Sequence, residues 1–317
     1  MIRTTPLVRH GDVALKLENL QRTGSFKLRG AVRKLGAMPQ AERNRGVVTA
    51  SAGNHGAALA LVGRELGIPV TVYVPPRTPD VKSARIESMG ADVIIAGADY
   101  DDAEAVARSV AAQSGRVFVS AFEDDDIMAG NGGSLAEEIL SQEPDTRRVL
   151  TPVGGGGLVA GLCQVLTRQG IDVIGVQPER NCAMHESLRQ GRALTGYTGD
   201  STIAEGCEGA VGARCYEIAA AHGLEVALVS EDAIRDAVAY LYREAGTVAE
   251  CSGAVAMAAV LSRRVPGAAP GQAGADPRHW WGGPPNPPVA RDGVTVVIIT
   301  GGNIEPAQLD EILARDL

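Results

Sequence analysis

Four short stretches of this chain carry residue types that could do chemistry together. In Thr23-Gly24-Ser25-Phe26-Lys27-Leu28-Arg29-Gly30, Lys27 stands between two apolar side chains and is bracketed by glycines. Partial burial lowers the pKa of an amine and makes it a nucleophile toward an aldehyde. A surface lysine at a helix start would explain the same residues. In Ser51-Ala52-Gly53-Asn54-His55-Gly56, a β-branched run gives way to an apolar helix. Backbone N–H groups at a helix N-terminus bind anions, and Ser51, Asn54 and His55 add side-chain donors, a set that suits a carboxylate. Simple capping of the helix by Ser51 or Asn54 is the plainer account. Gly154-Gly155-Gly156-Gly157-Leu158 follows Pro152-Val153. Four glycines let backbone amides converge on a phosphate without Cβ interference. Gly155-x-Gly157-x-x-Ala160, with Glu179 downstream, also fits the loose dinucleotide fingerprint, but that pattern accounts for neither Lys27 nor the Asn54 loop. Thr300-Gly301-Gly302-Asn303 ends the last apolar run. Strand ends are where α/β ligands sit, and a hydroxyl there could hydrogen-bond a ring nitrogen.

The elements that must position these stretches alternate in type. Strands are expected at 47–50, 70–74, 92–95 and 116–119, with helices over 54–66, 79–89 and 102–113 between them. A second series begins near Gly130, with strands at 148–153, 173–176, 225–229 and 294–300 and helices at 231–244 and 252–261. Such alternation implies βαβ crossovers and parallel sheets. The expected fold class is therefore α/β, with two parallel-sheet domains and a cleft between them.

One stretch breaks the alternation. From Arg264 to Gly293 there are seven prolines and six glycines, with both tryptophans, Trp280 and Trp281. That composition cannot bury enough apolar surface to offset chain entropy, and it reads as a flexible loop, a tolerated surface insertion in preference to an active-site flap or partner-binding loop anchored by Trp280 and Trp281. The whole chain has 317 residues, enough for two cores, and a net charge of -8, which argues against nucleic acid or an anionic membrane as partner. No stretch reads as a signal peptide or a membrane span. Five cysteines without CxxC spacing read as buried thiols of a reducing cytoplasm.

Together and in this order, the four stretches resemble the threonine and serine dehydratases, with serine racemase, among the tryptophan-synthase β-like (fold type II) pyridoxal-phosphate enzymes. The resemblance runs from Thr5-Pro6-Leu7 to Asn303, and Phe122 to Gly130, Thr202–Gly206 and Glu250–Ala254 share in it. It implies an active site in the interdomain cleft, a large domain of residues 1–34 and 130–317, and a small domain of residues 35–129. It implies that Lys27 carries pyridoxal 5′-phosphate as a Schiff base and acts as general base. It implies a phosphate cradle of Gly154, Gly155, Gly156, Gly157 and Leu158, a contact from Asn54 to the cofactor 3′-hydroxyl, and Thr300 facing the pyridine nitrogen. Ser51, Asn54 and His55 would bind the substrate carboxylate. The implied activity is β-elimination from a β-hydroxy amino acid such as L-threonine or L-serine by a cytoplasmic homodimer. β-Replacement, racemisation and a non-catalytic cofactor-binding role are the alternatives.

The departures bear on the substrate more than on the cofactor. Ala52 stands where racemising relatives have a second serine, and an alanine cannot serve as acid or base. Gln177 and Ala183 stand where serine racemases hold a divalent cation through carboxylates, so no metal is expected. Ser120-Ala121 replaces His-Pro, Asn131-Gly132-Gly133 replaces Gln-Gly-Thr, and Cys251 replaces a proline. Neither a leading helix nor a C-terminal regulatory domain is expected, so feedback by an amino acid is not implied.

Overall fold

The computed structural model describes residues 1–265 and 293–315. The Pro/Gly-rich stretch expected to be a flexible insertion, with Trp280 and Trp281, lies outside the described residues apart from its ends.

The strands, in chain order, are β1 (Leu7–His10), β2 (Val13–Leu17), β3 (Val47–Ala50), β4 (Val70–Val74), β5 (Asp92–Ile95), β6 (Val117–Phe118), β7 (Thr146–Pro152), β8 (Asp172–Pro178), β9 (Glu225–Val229) and β10 (Val294–Ile299). They form a six-stranded sheet of order β1-β2-β10-β7-β8-β9 and a four-stranded sheet of order β5-β4-β3-β6. All neighbours run parallel except the β1–β2 hairpin at the edge of the larger sheet. The strand expected over 116–119 shrinks to two residues. The Val119 carbonyl accepts from Thr49 Oγ1 at 2.8 Å and lies 3.3 Å from His55 Nε2, so it serves side chains instead of a ladder.

Alternation along the strands sends neighbouring residues to opposite cores, as burial on both faces requires. Val297 and Ile299 pack with the helices Glu231–Arg243 and Cys251–Leu261, while Val296 and Ile298 pack with Ser134–Gln142 and Gly157–Leu166. In the smaller sheet, Val47 and Val72 face the helices Lys27–Ala37 and Asn54–Leu66, and Val48 and Tyr73 face Ala103 and Ala107 of the helix Tyr100–Ser114. The Lys27 helix thus buries Leu28, Ala31 and Leu35 in the core of the smaller sheet. The glycine loop hangs from the larger one, after β7.

A buried charge cluster ties that helix to the larger sheet. Arg29, 2% exposed, donates to both oxygens of Glu18 at 2.7 and 2.8 Å and to both oxygens of Glu138 at 3.0 and 2.9 Å. Lys16, also fully buried, donates to Gln142 Oε1 at 2.7 Å and to the Thr5 carbonyl at 2.8 Å, and pairs with Glu138. Such a cluster adds little net stability, but losing one partner strands a buried charge, at a cost of about 3–5 kcal/mol. Among the described residues, no helix is long and apolar enough to cross a membrane.

Candidate active site

Lys27 is the first residue of its helix. The Phe26 N–H donates to the Thr300 carbonyl at 3.0 Å, so the end of β10 holds the turn that presents Lys27. Lys27 Nζ donates to the Ala121 carbonyl at 2.8 Å. The side chain as a whole is half-buried, but protein surrounds its amine. That burial brings its pKa down to about 8, against the opposing pull of Cys215, Cys207 and Glu250. An amine so poised is a better nucleophile at neutral pH than an exposed lysine.

The glycines leave β7 and enter the helix Gly157–Leu166, whose first N–H groups have no partner within the helix. Gly156 sits at φ 99°, ψ -6°, a left-handed conformation that favours glycine. A Cβ on Gly155 would run into the Phe122 ring, and one on Gly156 would come 2.8 Å from Cys215 Cβ. Leu158 is buried in the core beneath. The loop is thus a bare strip of backbone backed by Phe122 and Cys215.

In the loop after β3, Ser51 donates its N–H to the Tyr73 carbonyl at 3.2 Å, and its Oγ accepts from the Gly53 N–H at 3.3 Å. Asn54 opens the helix Asn54–Leu66. Its Nδ2 donates to Glu250 Oε1 at 2.7 Å, and its Oδ1 accepts from Asn303 Nδ2 at 2.6 Å. His55 is 3% exposed. Burial first, and the Lys27 charge second, push its pKa down to about 3, so the ring is neutral near pH 7. With Nε2 against the Val119 carbonyl, Nε2 carries the proton and Nδ1 is a buried acceptor with no partner. His55 therefore spends its one N–H on the Val119 carbonyl and is not the side-chain donor that its position in the loop suggested.

The pieces converge on one amine. Lys27 senses Cys215, Cys207, Glu250 and His55. Cys215 backs Gly156, Cys207 lies against Gly154, and Glu250 holds Asn54. Ala121, which accepts from Nζ, precedes the Phe122 that packs on Gly155 and Gly157. Lys27, Asn54, His55, Thr300 and Gly154–Gly157 are thus gathered into one site between the two sheets. The model of the pyridoxal-phosphate dependent enzymes matches residues 1–273. The chain belongs to that family.

Its relatives in the family include the L-threonine ammonia-lyase of Thermotoga maritima, 36% identical over 97% of this chain and 71% of that protein. The catabolic L-threonine dehydratase of Staphylococcus aureus is 34% identical over 100% of this chain and 88% of that protein. Among solved structures, the processed form of threonine deaminase isoform 2 from Solanum lycopersicum superposes with a TM-score of 0.85 at 28% identity, covering 99% of this chain and 88% of that one.

The site fits the family's cofactor, pyridoxal phosphate. An enclosed amine of lowered pKa suits the aldehyde, and a Cβ-free strip at a helix N-terminus suits a phosphate dianion. One N–H of Asn54 is left for a ring oxygen. Thr300, 4% exposed at the end of β10, would offer a hydroxyl rather than a carboxylate to a ring nitrogen.

Sequence reasoning missed Phe122 and Glu250 as parts of this site, and gave Asn303, within the Thr300–Asn303 stretch, no role of its own. Glu250 and Phe122 do lie in stretches that share in the resemblance, but nothing local marks what they touch. Cys207 and Cys215 were read only as buried thiols. Burial pushes both up to about 12, so they stay neutral beside the lysine.

Gln177 is fully buried as a strut. Its Nε2 donates to the Val153 carbonyl at 3.1 Å, and its Oε1 accepts from the His185 N–H at 2.9 Å. Ala183 offers no ligand atom in its side chain. Among the described residues, no group of three His, Cys, Asp or Glu is placed to share a metal ion. Because Gln177 and Ala183 stand where carboxylates would be needed, activity is expected to persist in EDTA. Marked inhibition that magnesium reverses would point to a cation site elsewhere.

Proposed function

We propose that this chain catalyses β-elimination from a β-hydroxy amino acid such as L-threonine or L-serine, releasing a 2-oxo acid and ammonia. The observation that carries this reading is the enclosed amine of Lys27, which among the described residues hydrogen-bonds to the Ala121 carbonyl alone. Pyridoxal phosphate, when bound, supplies the electron sink for the pair left on the substrate α-carbon. Gly154 to Gly157 and Leu158 hold the phosphate through backbone N–H groups, and Asn54 and Thr300 fix the ring. Ser51 and the backbone N–H groups of Asn54 and His55 hold the substrate carboxylate. Lys27 would carry the cofactor in the resting protein and, with its amine free while the substrate is bound, would take the α-proton before resuming that hold as the product leaves. The β-hydroxyl leaves with a proton, and the released enamine hydrolyses to the 2-oxo acid and ammonia.

The relatives named above are ammonia-lyases and dehydratases of threonine, which supports the substrate class. In the same reading the protein is a cytoplasmic homodimer with a large domain of 1–34 and 130–317 and a small one of 35–129. Its five described cysteines are all free and buried, as suits a reducing compartment.

The stereochemical outcome follows from Ala52. Lys27 supplies a base on one face of the α-carbon, and Ala52 supplies none on the other. A positioned acid or base is worth about 10²–10⁴-fold in rate. Elimination should outrun inversion by that order, so L-serine should yield pyruvate without build-up of D-serine, and Ala52→Ser should raise racemisation. D-serine formed by the wild-type protein at a rate comparable to pyruvate would overturn the argument.

A further inference from the structure

Glu250 is half-buried beside Asn54, and each of its carboxylate oxygens takes a different donor. Oε1 accepts from Asn54 Nδ2 at 2.7 Å, and Oε2 accepts from the backbone N–H of Asn303 at 3.2 Å. Asn303 closes the circuit. Its Nδ2 donates to the Thr23 carbonyl at 2.9 Å and to Asn54 Oδ1 at 2.6 Å.

Two backbone groups of fixed polarity therefore settle every side chain in the ring. The Thr23 carbonyl can only accept, so Asn303 must turn its NH₂ toward it and toward Asn54. The Asn54 oxygen must then face Asn303, and its NH₂ must face Glu250. Reversing the Asn54 amide would set its oxygen against the Glu250 carboxylate and two NH₂ groups against each other. With the oxygen occupied and one N–H committed, Asn54 has a single N–H left to offer.

We propose that Glu250 is a positioning residue which, with Asn303, locks the Asn54 amide so that an N–H, never the carbonyl, faces the ring oxygen of the cofactor. This rests on the reading of Asn54 as a cofactor contact. A donor there favours the ionised ring oxygen, whereas a reversed amide would favour the neutral hydroxyl. Burial raises the pKa of the Glu250 carboxyl, and the Asn54 and Asn303 donors and the Arg85 guanidinium act against it. Arg85 Nη2 donates to the same Thr23 carbonyl at 2.8 Å, so the helix Asp80–Met89 is fastened to this circuit as well.

Titration of the apoprotein with pyridoxal phosphate tests the proposal, read by the binding constant and by the visible absorption maximum of the bound cofactor. Glu250→Gln keeps the size but offers one acceptor where the ring needs two, so either Asn54 Nδ2 or the Asn303 N–H loses its partner. Affinity should fall about 10- to 100-fold, as for one lost hydrogen bond to a charged group. The absorption maximum should move in the same direction as in Asn54→Ala. Asn303→Ala takes away the donor to the Asn54 oxygen and leaves Glu250 to hold Nδ2 alone, so it should move affinity and absorption in the same direction but by less; it also covers the case in which Glu250→Gln does not fold. If Asn54→Ala changes affinity and absorption while folded Glu250→Gln and Asn303→Ala change neither, the inference fails and the reading of Asn54 stands. If Asn54→Ala itself changes neither, that reading fails and the inference with it. A lower melting temperature of the apoprotein with unchanged affinity and absorption would mark Glu250 as a stabilising residue only, and would also overturn the proposal.

Discussion

With Lys27 replaced by Ala, the purified protein should lose its visible absorption band and all measurable turnover. General base catalysis alone contributes about 10²–10⁴-fold, and covalent attachment of the cofactor is lost in the same stroke. No other lysine near the site can substitute. Lys16 is fully buried and committed to Glu138, Gln142 and the Thr5 carbonyl. Lys34 pairs with Asp124 at 2.6 Å, and Lys82 with Glu205 at 2.6 Å. Lys27→Arg separates charge from chemistry: the guanidinium keeps the positive charge, but its pKa above 12 leaves it no free amine to condense with an aldehyde. Both variants should therefore be inactive. An active Lys27→Ala protein that still absorbs in the visible would remove Lys27 from the account.

Gly155→Val should abolish cofactor binding without unfolding the chain. A Cβ at this position runs into the Phe122 ring, and a branched one also fills the space beside the backbone N–H groups that the phosphate needs. The Phe122 ring packs against Gly155 and has to give way, so the stability of the apoprotein should fall by a core-overpacking cost of about 1–3 kcal/mol. The affinity for pyridoxal phosphate should fall by at least about 100-fold, since the strip of N–H groups supplies several charge-assisted hydrogen bonds at once. Gly155→Ala should lie between the two. Unchanged affinity in a folded Gly155→Val protein would count against the loop as the phosphate cradle.

What was legible in the sequence is what local chemistry dictates. The helix Asn54–Leu66 and the strands β4, β5 and β9 fall where apolar periodicity puts them. The tetraglycine loop could be read because the freedom of four glycines is a local property. The hairpin of β1 and β2 was not anticipated. β2 reads Val13-Ala14-Leu15-Lys16-Leu17, and a lysine inside a short strand argues against full burial. Its neutralising partner, Glu138, lies 122 residues away in the chain. The same distance hid the Asn54 circuit, whose members Glu250 and Asn303 are 196 and 249 residues from Asn54. His55 was legible as a polar residue beside Asn54, but its neutral state was not, because burial and the nearby Lys27 charge are properties of the folded chain.

The most direct test of the proposed function is to supply L-threonine and L-serine to the protein loaded with pyridoxal phosphate and to assay 2-oxo acid, ammonia and D-amino acid together. The account predicts 2-oxo acid and ammonia in equal amounts from at least one of the two, with no accumulation of the D-amino acid and no need for a second substrate. Turnover that requires an added nucleophile, or D-amino acid as the main product, would contradict it.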